Sequence, residues 1–220
     1  ACIATLAVIH RLVEDLFDTD TAQRAALYLM ASPFAFYLVA AYNESLLLAL
    51  CVASLYCMRR GHWWAAGIFC GFASATRQAG VLLAVAFAIE YLRQRGWRIR
   101  EVRWNAAAVL LVPTGLLAYM AYCAAAFDDP LRFMHIQEFW GRQLSVPWKG
   151  VQGALDHIAL WSAESPLHAY VVVNVIDLAS LPIVAGLLVL SVVGPWRLGP
   201  SSWYLVAFGA AVFLMVLLSP

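Results

Sequence analysis

Long apolar runs recur from one end of this chain to the other, and they decide what it can fold into. Residues 104–127, 169–194 and 203–219 are apolar over most of their length. A helix needs about 20 such residues to cross the roughly 30 Å hydrocarbon core of a bilayer. Composition agrees: 64% of the chain is hydrophobic and 12% charged, whereas soluble domains carry about 25% charged residues. The expected fold is all-α: a polytopic transmembrane helix bundle with short, paired helices and with interfacial amphipathic helices in an outer loop. The chain opens on Ala1 inside an apolar run, without an initiator Met or a signal-peptide pattern. It reads as one transmembrane domain over 1–220, an interior fragment of a longer chain.

A net charge of +1 singles out no partner, and no nucleic acid is expected. Charge placement is more informative. All basic residues but Lys149 are arginines, and Arg93, Arg95, Arg98, Arg100 and Arg103 crowd one stretch, "LRQRGWRIREVRW". Arg59 and Arg60 form a second basic turn. The positive-inside bias puts both clusters on the cytoplasmic side. The five cysteines show no CxxC spacing and read as small core residues, with neither a disulfide frame nor a metal site.

Along the chain, 1–13 reads as a helix and "EDLFDTDTAQR" as a polar loop. Residues 25–42 read as a helix kinked at Pro33, followed by "YNES" and a helix at 45–58. The 63–92 segment is apolar but broken by "TRQAG", and 104–127 is a full-length helix with Pro113 inside it. With both basic clusters inside, 63–92 must enter the membrane and return, its turn at "TRQAG". "YNES", "TRQAG" and an outward-facing loop at 128–168 then share the outer face. Each arm of the hairpin is too short to cross: 14 residues span about 21 Å. A turn with open backbone groups is tolerated at that depth only inside protein or against a wet cavity. Glu44 and Arg77 are thereby expected near the floor of an outward-facing cavity.

An ionisable residue at such depth costs at least about 2.5 kcal/mol and is a functional candidate by default. Arg77 beside a glycine-containing turn suits a phosphate: it offers a planar fork of donors, and the turn can add backbone N–H groups. Glu44 either contacts a ligand or neutralises Arg77 across the helix tips. Asn43 and Gln78, their neighbours in the two motifs, complete the candidate binding set there. Asp177, with Asn174 three residues earlier, reads equally as polar glue between helices. In the outer loop, 131–142 and 151–163 are amphipathic, and with Trp140 and Trp148 they are expected to be helices lying at the membrane surface. Arg142 and Lys149, flanking "QLSVPW", are candidate anion contacts. His135 and Glu138, three apart, do not by themselves make a metal site. No GxSxG, P-loop, GxGxxG or HExxH motif occurs, and neither a metal nor a cofactor is expected.

The series "SPFAFYLVAAYNESLLLAL", a basic turn, "GFASATRQAGVLLAVAFAIEYL" and "FWGRQLSVPW" resembles the bacterial branch of the GPI mannosyltransferase 2 (PIG-V) family. That family belongs to the GT-C superfamily of multi-pass glycosyltransferases, and the likeness runs from about residue 25 to 165. It implies transfer of a mannosyl (or related) sugar from a polyprenyl- or dolichyl-phosphate donor to a glycan or lipid-linked acceptor at the outer or lumenal face. It also implies an integral, multi-pass protein of a bacterial plasma membrane rather than of the endoplasmic reticulum, with membrane lipids around it. Enzymes of the superfamily place an acidic residue in the first outer loop as the base. The catalytic residue is therefore expected N-terminal to Ala1 and is not assigned here, and Glu44 keeps a supporting role. Two other classes fit part of the pattern: a transporter or lipid flippase subunit, and a non-catalytic membrane scaffold. Short, interrupted helices also mark transporters, but no inverted repeat is visible.

Overall fold

The computed structural model describes residues 1–40, 42–139, 146–162, 169–194 and 197–218. Among them every regular element is helical. Among the described residues three helices are long and apolar enough to cross a membrane: Trp104–Phe127, Val171–Val192 and Pro200–Leu218. The chain is an α-helical membrane protein.

Two compact units are formed: residues 1–130 with 199–208, and residues 131–198 with 209–220. In the first, α1 (Cys2–Leu16) and α2 (Thr19–Ala31) come first. The acidic stretch between them is not the polar loop expected from its composition. Asp18 caps α2, its carboxylate accepting from the Thr21 N–H at 2.8 Å and from the Thr21 hydroxyl at 2.8 Å. Those bonds favour the charged form and hold the Asp18 carboxyl below its ordinary range. The expected helix over 25–42 is also divided. It stops at Ala31, Ser32 caps a 3-10 turn starting at Pro33, and α3 (Phe36–Val39) follows. Pro33 disfavours helical backbone at the residue before it and so ends the helix instead of kinking it.

Next come α4 (Glu44–Arg59), α5 (Trp63–Thr76), a 3-10 turn at Gln78–Leu82 and α6 (Leu83–Arg93). The 33–39 segment meets α4 at 95°. Helix α4 packs against α1, α5 and α6. Cys51, Leu55 and Met58 bury one side of α4 against Trp63, Ala66 and Cys70 of α5 and Leu83, Phe87 and Tyr91 of α6. Spacings of four and three place such residues on one helical face. Trp63, at the start of α5, meets Phe87 and Tyr91 edge to face at 5.2 and 4.7 Å, so the end of α6 returns to the start of α5. All five cysteines are free, and Cys51, Cys70 and Cys123 are buried.

The 104–127 span has two parts. Trp104–Leu111 is 3-10, Pro113 caps the break, and α7 (Thr114–Phe127) completes the span. Both parts lie against α5 with almost no space between backbones. A Cβ on Gly67 would stand 2.4 Å from the Ala108 carbonyl oxygen, and one on Gly115 would stand 2.0 Å from the Gly71 oxygen. Small residues four apart are the usual means of such close approach in membranes.

The second unit contains α8 (Arg132–Phe139), α9 (Pro147–Ser162) and α10 (Ala169–Val192), close to the positions expected for the amphipathic loop helices and the following span. Helix α9 packs on α10. Helix α11 (Trp203–Leu218) contributes its first residues to the first unit and the remainder to the second.

Candidate functional site

The site forms where the start of α4 meets the end of α5. Helix α5 stops at Thr76, and Arg77 takes extended backbone, φ −152° and ψ 144°. The 3-10 turn then folds directly onto the last turn of α5. A Cβ at Gly80 would lie 2.4 Å from the Ala73 carbonyl carbon and 2.5 Å from the Ser74 nitrogen, so only glycine fits. This reversal sends the Arg77 side chain across to α4. Its Nη1 donates to Glu44 Oε1 at 2.5 Å. Beside it, Asn43 Nδ2 donates to the Thr76 carbonyl at 3.1 Å, which satisfies a carbonyl left open at the end of α5.

Glu44 and Arg77 are bonded unequally. One Glu44 oxygen holds Arg77, while Oε2 is buried without a hydrogen-bond partner among the described residues. A buried acceptor left unmade costs about 1–3 kcal/mol. The Arg77 side chain is 45% exposed, and among the described residues Glu44 is the only protein group its guanidinium bonds, so further N–H donors remain open. Gln78 is half-buried at the start of the 3-10 turn.

Three aromatic rings gather just before the start of α4. Phe36, Tyr37 and Tyr42 are exposed and meet edge to face, with centroids 5.5–6.5 Å apart. Their grouping was not read from the sequence, because it depends on the sharp turn between α3 and α4.

Of the sequence candidates, the structure brings together Asn43, Glu44 and Arg77, with Gln78 next in the turn. Lys149 is exposed in the first turn of α9, in the second unit. Arg142 lies outside the described residues, as do "YNES" neighbour Ala41 and most of "FWGRQLSVPW".

The two basic clusters share the opposite end of the α4–α5–α6 group. Gln94 Nε2 donates to the Met58 carbonyl at 2.8 Å, joining the end of α6 to the end of α4. Arg60 pairs with Asp15 at 2.8 Å, fixing α4 to the end of α1. Sequence reading passed over Glu90, which is fully buried and holds Arg93 through two bonds of 2.6 and 2.7 Å. Three residues before an arginine, at the end of an apolar helix, it looks like a flanking surface charge. The one signal was that its neighbours are apolar.

The family model of glycosyltransferase family 87 matches the chain over residues 1–220. The chain belongs to glycosyltransferase family 87. Neither a curated protein nor a solved structure matches it. As a family 87 member it is an integral-membrane glycosyltransferase, acting between a sugar donor and an acceptor in a lipid environment. Glu44 and Arg77 meet at the tips of α4 and α5, which at 16 and 14 residues are shorter than a bilayer span.

Proposed function

We propose that this protein moves a mannosyl or related sugar from a polyprenyl- or dolichyl-phosphate donor to a glycan or lipid-linked acceptor on the outer or lumenal face of the membrane. The observation that carries the reading is the Glu44–Arg77 pair, with an open guanidinium on one side and an unpartnered carboxylate oxygen on the other. The narrower likeness to the bacterial GPI mannosyltransferase 2 branch supports mannose as the sugar and a bacterial plasma membrane as the setting.

A lipid-phosphate sugar must keep its tail in lipid and its phosphate at the membrane boundary. In transfer, the bond from the sugar's C1 to the phosphate oxygen breaks as the acceptor oxygen bonds to C1. The phosphate departs with the electron pair, and the acceptor hydroxyl gives its proton to a base. Negative charge grows on the phosphate, and a guanidinium fixed beside it stabilises that charge more in the transition state than in the ground state. Arg77 takes this role, with Gln78 as a neighbouring amide donor. Glu44 keeps the guanidinium in place through Oε1 and offers Oε2 to a sugar hydroxyl. Because it is committed to Arg77, it is not assigned as the base. The exposed faces of Phe36, Tyr37 and Tyr42 suit the apolar side of a sugar ring or the first prenyl units. Lys149 and Arg142 remain candidate contacts for anionic substrate groups.

The test is donor choice. The full chain in lipid nanodiscs is given labelled mannose on polyprenyl phosphate or on a nucleotide. The proposal expects the lipid-linked donor to be consumed with release of polyprenyl phosphate. Use of the nucleotide sugar alone would overturn it.

A further inference from the structure

At the other end of the first unit from Glu44 and Arg77, between the end of α6 and the start of the 104–127 span, lies a polar cleft. It has a volume of about 680 Å³, and its polar lining includes Gln94, Arg95, Arg100, Glu101, Arg103 and Asn105. Its floor is built. Arg95 lies 3.5 Å above the Tyr91 ring and donates to the Glu101 and Tyr91 carbonyls and to Asn105 Oδ1. The Tyr91 hydroxyl bonds Asn105 Oδ1 at 2.7 Å and accepts from the Arg103 N–H at 3.0 Å. These contacts fix the loop from 95 to 105 around the cleft. Arg100 and Arg103 are different: both are exposed, and neither guanidinium bonds a protein group among the described residues. Between residues 93 and 103 five arginines stand against a single carboxylate, Glu101, which pairs with Arg98 at 3.0 Å.

The surroundings say at what level this cleft sits. The span begins at Trp104, which is 77% exposed and packs on Trp64 at 4.9 Å. Trp97 and Ile99 are also exposed. Exposed tryptophans at a span end mark the headgroup layer. Open guanidinium forks match phosphate oxygens, and basic pockets at helix ends are suited to lipid phosphate. We propose that the cleft between α6 and the 104–127 span binds the phosphate of an anionic phospholipid headgroup through Arg100 and Arg103, apart from the Glu44–Arg77 site.

Native mass spectrometry of the delipidated full chain, titrated with phosphatidylglycerol or phosphatidylcholine, tests this. Phosphatidylglycerol is expected to be retained in preference, and retention should fall roughly five-fold for each arginine removed in Arg100→Gln and Arg103→Gln. Arg24→Gln, which removes an exposed charge from α2, is the control and should leave retention unchanged. Millimolar inorganic phosphate should not displace the lipid. Equal retention of both lipids, equal retention by wild type and the double variant, or an equal loss in Arg24→Gln would overturn the proposal. So would displacement by inorganic phosphate, which would make the site one for the free ion. Neither Arg100 nor Arg103 bonds a described residue through its side chain, so the variants should fold; the single variants give the same comparison if the double variant does not.

Discussion

At the scale of single residues, the account turns on why a carboxylate is kept in an apolar run. Glu44 is held by Arg77, and its second oxygen is buried without a partner among the described residues. Two roles predict different behaviour. If Glu44 only positions Arg77, Glu44→Gln should weaken donor binding, and Glu44→Gln with Arg77→Gln should be about as stable as wild type, because both charges leave together. If Oε2 also takes a sugar hydroxyl, Glu44→Gln should lower transfer at saturating donor while stability changes by less than about 1 kcal/mol, the pair being partly exposed. Transfer kinetics and thermal unfolding of the single and double variants separate them. Wild-type transfer by Glu44→Gln would leave neither role. The Glu44–Arg77 pairing was legible from sequence, since two opposite charges stood at the tips of short helices counted onto one face. The inequality of the two Glu44 oxygens was not, because it depends on which atom reaches the guanidinium. Glu90 was missed because burial, and not spacing, distinguishes it.

At the scale of elements, backbone approach organises the hairpin. Gly67, Gly71 and Gly115 let α5 lie against the 104–127 span, and Gly80 lets the turn close on α5. The atoms that a new Cβ would meet are backbone, which cannot swing aside. Gly115→Ala is expected to cost about 1–3 kcal/mol through overpacking. Gly186→Ala in α10, where nothing lies within 4 Å of the added carbon, should be neutral or slightly stabilising. Unfolding of the two variants in detergent checks this, and equal effects would contradict it. Gly80→Ala should go further and lower transfer as well, because the turn it disturbs aims Arg77. The three long spans and the interruption of 63–92 at "TRQAG" were readable from apolar runs. Boundaries were not: Asp18 converts an acidic loop into a helix start, Pro33 ends a helix, and Pro113 separates 3-10 from α-helix. Each outcome is decided by where one polar or cyclic side chain finds its partner, which hydropathy does not record.

At the scale of the whole molecule, the Glu44–Arg77 pair and the arginine cluster occupy opposite ends of the α4–α5–α6 group. On the proposed orientation, the pair faces outward and the cluster faces the cytoplasm. In a cysteine-free background, Gln78→Cys should react with a membrane-impermeant thiol reagent from outside and Arg98→Cys only from inside. Labelling of position 78 solely from the cytoplasmic side would reverse the orientation and remove the outward-facing site. The claim that joins this topology to chemistry is that Arg77 holds the donor's phosphate. The most direct measurement is the affinity of the full chain for polyprenyl-phosphate mannose in nanodiscs, compared among wild type, Arg77→Lys and Arg77→Ala. A charged hydrogen bond contributes about 1.5–3 kcal/mol, so Arg77→Ala should bind the donor at least about ten-fold more weakly. Arg77→Lys, which keeps the charge but not the planar fork, should fall between them. Wild-type donor affinity and transfer in Arg77→Ala would contradict the account.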